Sequence, residues 1–296
     1  MNKVFAASPA RFLAVLLTIC PMAAAVHAQA PVPAMPADPV PAQASTPAAA
    51  AANDALLAKA AKLYYSTDKA GLAGFDCAVH PDWHALLASD GGSVNADATM
   101  RVSLLSSVNI AFHARMKGGS GIDWNPPAHP EKPLDPESTS LLDAMQAGTA
   151  QALQGFMQFW TPFVDGSAIP DSAEGVEITP TDKGGYTLHG DQEGTSLTEV
   201  LDSDLVLQQF NVATNGMTVN FSPAYKSTDK GLLVSGIVAH IHPSEAAAAQ
   251  ALEMHVAIEY QNIDGFPIPA RLKMEALNQG VLNFTLDGCA VNKQAR

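Results

Sequence analysis

The feature that most constrains this chain is a faithful alternation of apolar and polar residues, which begins after about residue 175. Four segments show it clearly: residues 217–222, 253–260, 266–275 and 282–287. Because successive side chains of a β-strand point to opposite faces, this period predicts strands with one buried and one solvated face. Short turns such as Asn215-Gly216 and Asp264-Gly265 separate neighbouring strands, so we expect antiparallel pairing.

Two segments have the three- and four-residue apolar spacing of amphipathic helices. Asn53 is a suitable N-cap for a helix over residues 53–66. Ser140-x-x-Asp143 resembles a capping box and predicts a longer helix over residues 140–161, which we expect Pro162 to end. Residues 95–116 are ambiguous in their first half, whereas their second half alternates like a strand.

The predicted sheet, of roughly eight strands, must bury its apolar face. It can close into a barrel, stack on a second sheet, or curl around helices. We predict an α+β fold in which a strongly curved antiparallel β-sheet, a half-barrel, packs on the two helices. A closed outer-membrane barrel is disfavoured by the helix over residues 140–161 and by Arg271 and Lys273, which lie opposite the apolar face.

The first residues of the chain indicate export. Lys3 and Arg11 precede a short apolar run over residues 12–19, and small residues follow as far as Ala28 and Ala30. This order is typical of a cleavable signal peptide, which we place at residues 1–28. Cys20 raises the alternative of a lipoprotein, but Ile19 stands where a lipobox has a small residue.

Cleavage would change both the charge and the cysteine count. The formal net charge is −13, and loss of Lys3 and Arg11 with no acidic residue makes it −15. Such an acidic surface repels nucleic acid and anionic lipid headgroups. Cys77 and Cys289 alone would remain, and an even count in an oxidising compartment predicts one disulfide that joins the first strand to the last.

Residues 29–52 consist almost entirely of alanine, proline and small polar residues. A segment without large apolar side chains cannot offset the entropy of ordering, so we predict a disordered linker. Residues 53–296 then form one domain.

The order of elements resembles the periplasmic lipoprotein-carrier superfamily of LolA/LolB-like half-barrels. The resemblance lies in a helix over Leu56–Tyr65, the run Gly265-Phe266-Pro267-Ile268-Pro269, and a closing strand with Phe284-Thr285-Leu286. It implies a half-barrel fold that binds acyl chains, and it carries over no functional residue. The chain departs from the pattern by its length and by the segment over residues 117–165.

A cluster of large aromatic residues is the candidate ligand site. If the helices do not fill the curved sheet, these side chains line a hydrophobic cavity, and otherwise they form the core. The predicted cavity-lining residues are Phe156, Phe159, Trp160, Phe163, Met217 and Phe221.

Two groups of histidines are candidates for a metal-binding or catalytic site. His240-x-His242 has a spacing that metal sites use, with His80, His84 or His255 as further ligands. We interpret His240 and His242 instead as surface residues, and His80-Pro81-Asp82-Trp83-His84 as a helix start with Trp83 packed inward. No nucleophile elbow, phosphate loop or CxxC motif is present in the sequence.

We therefore expect an exported, non-enzymatic protein of the periplasm or the secreted fraction, without cofactor or metal. It would bind or transport hydrophobic ligands such as lipid or lipoprotein acyl chains, with peripheral membrane contact at most and no nucleic-acid partner. The alternative is a structural or interaction module of the cell envelope with a filled core and no small-molecule ligand.

Overall fold

The computed structural model describes residues 47–88, 96–126, 134–166, 168–192, 194–214, 216–243, 252–276 and 280–294. The helices are α1 Pro47–Ala61, α2 Thr67–Ala70, α3 Trp83–Ala88, α4 Ala96–Ser106 and α5 Pro136–Val164. The strands are β1 Leu72–Pro81, β2 Asn109–Arg115, β3 Gly121–Asn125, β4 Glu177–Pro180, β5 Tyr186–Gln192, β6 Thr195–Leu201, β7 Leu207–Thr214, β8 Met217–Thr228, β9 Gly231–Pro243, β10 Leu252–Ile263, β11 Phe266–Ala276 and β12 Gly280–Lys293.

All twelve strands belong to one antiparallel sheet with the order β3-β2-β1-β12-β11-β10-β9-β8-β7-β6-β5-β4. The chain enters the sheet at β1, the third strand from one edge, and pairs outward through β2 to the edge strand β3. Helix α5 then connects this edge to the opposite one, where β4 begins a meander that returns to β12 beside β1. Within the described residues β3 and β4 do not pair with each other, so the sheet is open.

The predicted antiparallel sheet is confirmed, and it is larger than expected. Val219 and Phe221 of β8 are buried, whereas Thr218 and Asn220 between them are only half-buried. Three further strands, β1 to β3, come before α5 and extend the sheet beyond β12. In the ambiguous segment over residues 95–116, α4 forms the first half and β2 the second.

The predicted ends of both helices are wrong. The first helix begins at Pro47 rather than at Asn53, because alanine favours the helix and proline is accepted in the first turn. Helix α5 begins after Asp135, whose carboxylate accepts a hydrogen bond from the Ser138 amide at 2.9 Å. Pro162 lies inside its last turn instead of ending it, although its missing N–H leaves the Gln158 carbonyl without a helical hydrogen bond.

The predicted signal peptide over residues 1–28 lies outside the described residues, as does the linker up to residue 46 and the turn residue Asn215. Residues 47–52 of the predicted linker belong to α1.

Helix α5 covers the apolar face of the sheet. It packs against β9, which lies next to the centre of the sheet, and against the edge strand β3. Its sheet-facing side chains are large, and Trp160 is fully buried. Burial of a phenylalanine or leucine side chain stabilises a fold by about 1.5–3 kcal/mol, so this one helix contributes a substantial part of the core.

A short connection after α1, residues 63–68, holds the sheet and α5 together, and we call it the strap. The Tyr65 amide donates to the Leu232 carbonyl at 2.9 Å, and the Leu232 amide donates to the Leu63 carbonyl at 2.7 Å. The hydroxyls of Ser66 and Thr67 donate to main-chain carbonyls at the end of α5, which have no partner within the helix. The strap thus lies hydrogen-bonded between β9 and the end of α5.

Gly231 makes the strap's approach to β9 possible. Its φ is +116°, a conformation that other residues rarely adopt. A Cβ at this position would lie 2.8 Å from the Leu63 carbonyl oxygen and would push the strap away.

The predicted disulfide between Cys77 and Cys289 is confirmed, and it joins β1 to β12. The two Cα atoms are 4.1 Å apart, next to a shift in the register of these strands between Asp76 and Ala78. The first and last strands along the chain, β1 and β12, are therefore joined by hydrogen bonds and by a covalent bond.

Replacing both cysteines, Cys77→Ala with Cys289→Ala, should lower the free energy of unfolding without preventing folding. The closed loop has a sequence separation of 212. For a loop of this size the chain-entropy model gives a stabilisation of about 5 kcal/mol, while the β1–β12 ladder remains in the variant. Urea unfolding of the oxidised wild type and the variant measures the difference, and the wild type in reductant is the control. Equal midpoints for all three samples would contradict the prediction.

Candidate functional site

The six residues predicted to line a cavity lie on α5 and β8, which are in contact through Phe159 and Phe221. Phe156, Phe159, Trp160 and Phe163 of α5 and Phe221 of β8 are buried, and Met217 is half-buried. Phe156 stacks on Trp160 with ring centroids 5.8 Å apart, and Phe159 meets the edge of Phe221 at 5.7 Å. These ring contacts are those of packed core residues, and the lining of a cavity by this cluster stays a prediction.

Trp160 is anchored to the sheet by hydrogen bonds as well as by packing. Its indole N–H donates to the Tyr260 hydroxyl at 2.8 Å, and that hydroxyl donates to the Val234 carbonyl at 2.6 Å. Burial raises the pKa of Tyr260, so the phenol stays neutral and able to donate. One tyrosine thus satisfies a buried donor of α5 and a carbonyl of β9.

An apolar cleft lies between the N-terminal half of α5, the start of α3 and β12. Its volume is about 190 Å³, below the range of about 300–1,000 Å³ that is usual for sites of drug-sized ligands. It is lined mainly by Trp83, Leu86, Met145, Leu282 and Phe284. Gly148 of α5 also borders it, and a Cβ on Gly148 would meet no atom within 4 Å. The cleft therefore has room for one narrow apolar group.

None of the six predicted cavity residues borders this cleft. The sequence carried two signals for it. Trp83 was singled out as part of an unusual cluster of histidine, acid and indole, and Met145 and Thr149 belong to the apolar stripe of α5. The sequence alone does not show that β12 places Phe284 next to both Trp83 and the apolar stripe of α5.

The segment over residues 80–84 is a helix start, as expected. The Asp82 carboxylate accepts a hydrogen bond from the Ala85 amide at 3.0 Å, and Trp83 is buried against Trp124 with ring centroids 6.3 Å apart. His80 lies 3.2 Å from an oxygen of Asp287, and His84 is exposed. The two imidazoles are therefore not paired as an acid and a base.

Glu199 is a buried acid that the sequence interpretation missed. It lies on the apolar face of β6, where its neighbours across the sheet are Leu188 and Phe210. Only 7% of it is exposed, and within the described residues its Oε2 atom has no hydrogen-bond partner. Burial raises the pKa of Glu199 to about 8. The signal was present, because the period of two places Glu199 on the same face as Leu197 and Leu201.

Two tyrosines lie close to Glu199. The Tyr64 hydroxyl, from the strap, accepts a hydrogen bond from the Leu207 amide at 2.7 Å. Tyr225 of β8 meets the Tyr64 ring edge-on at 5.3 Å. Burial raises the pKa of Tyr64 to about 12, and the nearby Glu199 and Asp202 add to the effect. Glu199, Tyr64 and Tyr225 form a small polar cluster inside an otherwise apolar interior.

A second polar cluster surrounds His113 on the opposite face of the sheet. Its Nδ1 lies 2.7 Å from an oxygen of Asp76, and its Nε2 lies 3.0 Å from an oxygen of Asp123. Asp76 also receives hydrogen bonds from Arg115 and Asn292. With a carboxylate on each ring nitrogen, the imidazole links three strands and has no free nitrogen to act as a base on a substrate.

The histidines considered as metal ligands are only partly brought together. His240 and His255 both approach Glu253, at 3.5 Å and 2.5 Å, on neighbouring strands β9 and β10. His80 lies on β1 and His84 on α3, and His242 is exposed. Among the described residues no group of three or more His, Cys, Asp or Glu side chains is placed to hold a metal ion.

Comparisons with protein-family models, with curated proteins and with solved structures find no match to this chain. In the described part of the chain, no helix has both the length and the hydropathy needed to cross a membrane.

Replacing Tyr260 with phenylalanine should destabilise the protein by about 1–3 kcal/mol, because it leaves the buried Trp160 N–H and the Val234 carbonyl without this partner. Chemical denaturation followed by tryptophan fluorescence measures the change.

Tyr65→Phe is the matched control for this variant. Tyr65 is also a tyrosine of the interior, but its hydroxyl has no hydrogen-bond partner in the described residues. Its removal should therefore leave the stability unchanged or raise it. A loss in Tyr65→Phe as large as that in Tyr260→Phe would show that the hydrogen bonds are not the cause.

His113 should make the stability depend on pH in a defined direction. The hydrogen bonds that the His113 imidazole donates to Asp76 and Asp123 raise the pKa of His113 above its ordinary value of 6.5. The stabilisation is therefore fully present below pH 6.5 and is lost as the pH rises through the higher folded pKa. Because the imidazole is about one-third exposed, the effect should be small.

Thermal unfolding of the wild type and of His113→Gln across pH 5–9 measures this contribution. The variant should lack the stabilisation that the wild type has at low pH, so the two curves should converge as the pH rises. His84→Gln, at an exposed histidine, is the control. Parallel curves for the wild type and His113→Gln would contradict the prediction.

Proposed function

We propose that this protein is an exported, non-enzymatic binding or transport protein for hydrophobic ligands such as lipid or lipoprotein acyl chains. The observation that carries the proposal is the apolar cleft between α5 and β12. An alkyl chain is narrow enough for such a cleft, and an apolar lining favours it over a polar ligand. The polar groups Asp82, Asn283 and Thr149 also border the cleft and would select the ligand's orientation.

The proposal includes a strongly curved, half-barrel form of the sheet. Twelve strands are separated by eleven spacings of roughly 4.8 Å, so a flat sheet of this size is about 53 Å wide. Helix α5 has 29 residues, which corresponds to a length of about 44 Å. It leads from one edge of the sheet toward the other, and a curved sheet brings those edges within its reach. Register shifts in the β1–β12, β8–β9 and β10–β11 pairs are of the kind that bends strands.

Export is supported by the disulfide between Cys77 and Cys289, since disulfides persist in oxidising compartments. We place the protein in the periplasm or the secreted fraction. Its net charge of −13 argues against a nucleic-acid partner and limits contact with anionic membranes to a peripheral one.

A second candidate function is an interaction or structural module of the cell envelope with a filled core. The aromatic contacts of α5 favour it, because Trp160 packs against both Phe156 and Phe75 and leaves its ring no exposed surface. Such a protein would act through its surface and take no small ligand.

Binding of a dansyl-labelled fatty acid to the purified full-length mature protein distinguishes the two functions. We expect saturable binding at one site and displacement by unlabelled fatty acids. Gly148→Phe should weaken this binding by at least about tenfold, because the new ring enters the open space beside Gly148.

Ala147→Phe is the matched control, since it adds the same ring at an exposed position one residue away on α5. It should bind the probe like the wild type. Absence of any binding by the wild type would reject the carrier function and favour the interaction module. Equal binding by Gly148→Phe and Ala147→Phe would place the ligand outside the cleft.

A further inference from the structure

An ionised carboxylate at the position of Glu199 would lower the stability of the fold. Its β6 neighbours on the same face, Leu197 and Leu201, are apolar, and Leu188 and Phe210 flank it on the adjoining strands. A buried carboxylate without a partner loses its hydration and gains nothing in return, so the group takes up a proton instead.

The groups that face Glu199 cannot neutralise a negative charge. They are Tyr64 from the strap, Tyr225 from β8 and Asp202, which follows β6. Both tyrosines are neutral because burial raises their pKa values, and Asp202 is itself an acid. In the described part of the chain, no basic side chain interacts with Glu199. Proton loss therefore leaves an uncompensated charge at this point of the interior.

That point lies beside the contact between the strap and the sheet. The Tyr64 hydroxyl holds the amide of Leu207, the first residue of β7, and Tyr64 also stands next to Leu232 of β9 in the strap's parallel bridge. An ionised Glu199 would lie beside the Tyr64 hydroxyl, which accepts the hydrogen bond of the Leu207 amide.

We propose that Glu199 is a proton-controlled latch: its neutral form keeps the strap closed on β6 and β7, and loss of its proton favours an open form in which Tyr64 releases Leu207. The open form exposes the apolar face near Phe210 to water. The latch goes beyond the proposed ligand binding and does not depend on it, because it involves a different part of the sheet from the cleft.

The direction of the pH dependence follows from the proton count. The ordinary pKa of a glutamate is 4.5, and burial raises it to about 8 in the closed form. The closed form is therefore favoured fully below pH 4.5, and it is progressively lost as the pH rises toward 8. Because opening releases one proton in this window, the opening constant should rise by about tenfold per pH unit and level off above pH 8.

Hydrogen exchange of the Leu207 amide in the full-length mature protein, measured by NMR between pH 5 and 9, tests the latch. After correction for intrinsic exchange, the wild type should show the rise of about tenfold per pH unit. Glu199→Gln should show no such rise, because the amide side chain has a similar shape and cannot ionise. Glu177→Gln, at an exposed glutamate on the edge strand β4, is the control and should follow the wild type.

Equal pH dependence in Glu199→Gln and the wild type would overturn the proposal, as would an opening constant in the wild type that does not change with pH. If Glu199→Gln does not fold, the carbon-13 shift of the Glu199 carboxyl group in the wild type decides. A titration midpoint near 8 that coincides with the levelling of Leu207 exchange supports the latch, and a midpoint near 4.5 rejects it.

Discussion

Burial of the sheet's apolar face beneath α5 is the constraint on which the rest of this structure depends. An open sheet of twelve strands exposes that face along its whole width unless another element covers it. Helix α5 is also the connection from one edge of the sheet to the other, so the covering helix and the crossover are the same segment. The aromatic side chains of α5 follow from this double role, because this helix fills much of the space over the sheet, while α1, α3 and α4 add buried residues such as Leu57, Trp83 and Leu105.

Coverage by α5 requires that the helix be held in place over the sheet. Two contacts do this in different ways. Tyr260 binds Trp160 from the sheet side, and the strap binds the carbonyls at the end of α5. Where the helix and the sheet diverge, near Met145 and Phe284, the apolar cleft remains. The cleft is thus a geometric consequence of laying one straight element over a wide sheet.

The sequence determined the sheet and its faces well, because the period of two is a local property that each strand carries by itself. The partner of Cys77 could also be predicted, since Cys289 is the only other cysteine outside the predicted signal peptide. Helix ends were predicted less well. Ser140-x-x-Asp143 has the form of a capping box, yet Asp135 forms the cap five residues earlier. Because more than one polar residue before the apolar stripe is able to cap the helix, the sequence does not show which one does so.

The candidate sites depend on contacts between distant segments, and these could not be predicted in the same way. The three strands that meet at His113 are consecutive, but Asp76 also accepts a hydrogen bond from Asn292 of β12, which is 216 residues away in the sequence. The cleft likewise needs α3, α5 and β12 together. The large aromatic side chains of α5 indicated correctly that this helix covers the sheet. Their size alone does not show whether they line a cavity or fill the core.

Glu199 shows how one rule leads to both the fold and its exception. The alternation that buries Leu197 and Leu201 of β6 buries the residue between them with equal certainty, whatever its chemistry. A polar side chain on the apolar face costs stability that leucine at the same position would not cost. Tyr64 of the strap and Tyr225 of β8 place two hydroxyls nearby without supplying a cation, so the interior tolerates the acid only in its neutral form. A residue that lowers stability in a proton-dependent way, beside the segment that fastens α5 to the sheet, gives the fold a place at which pH acts on its architecture.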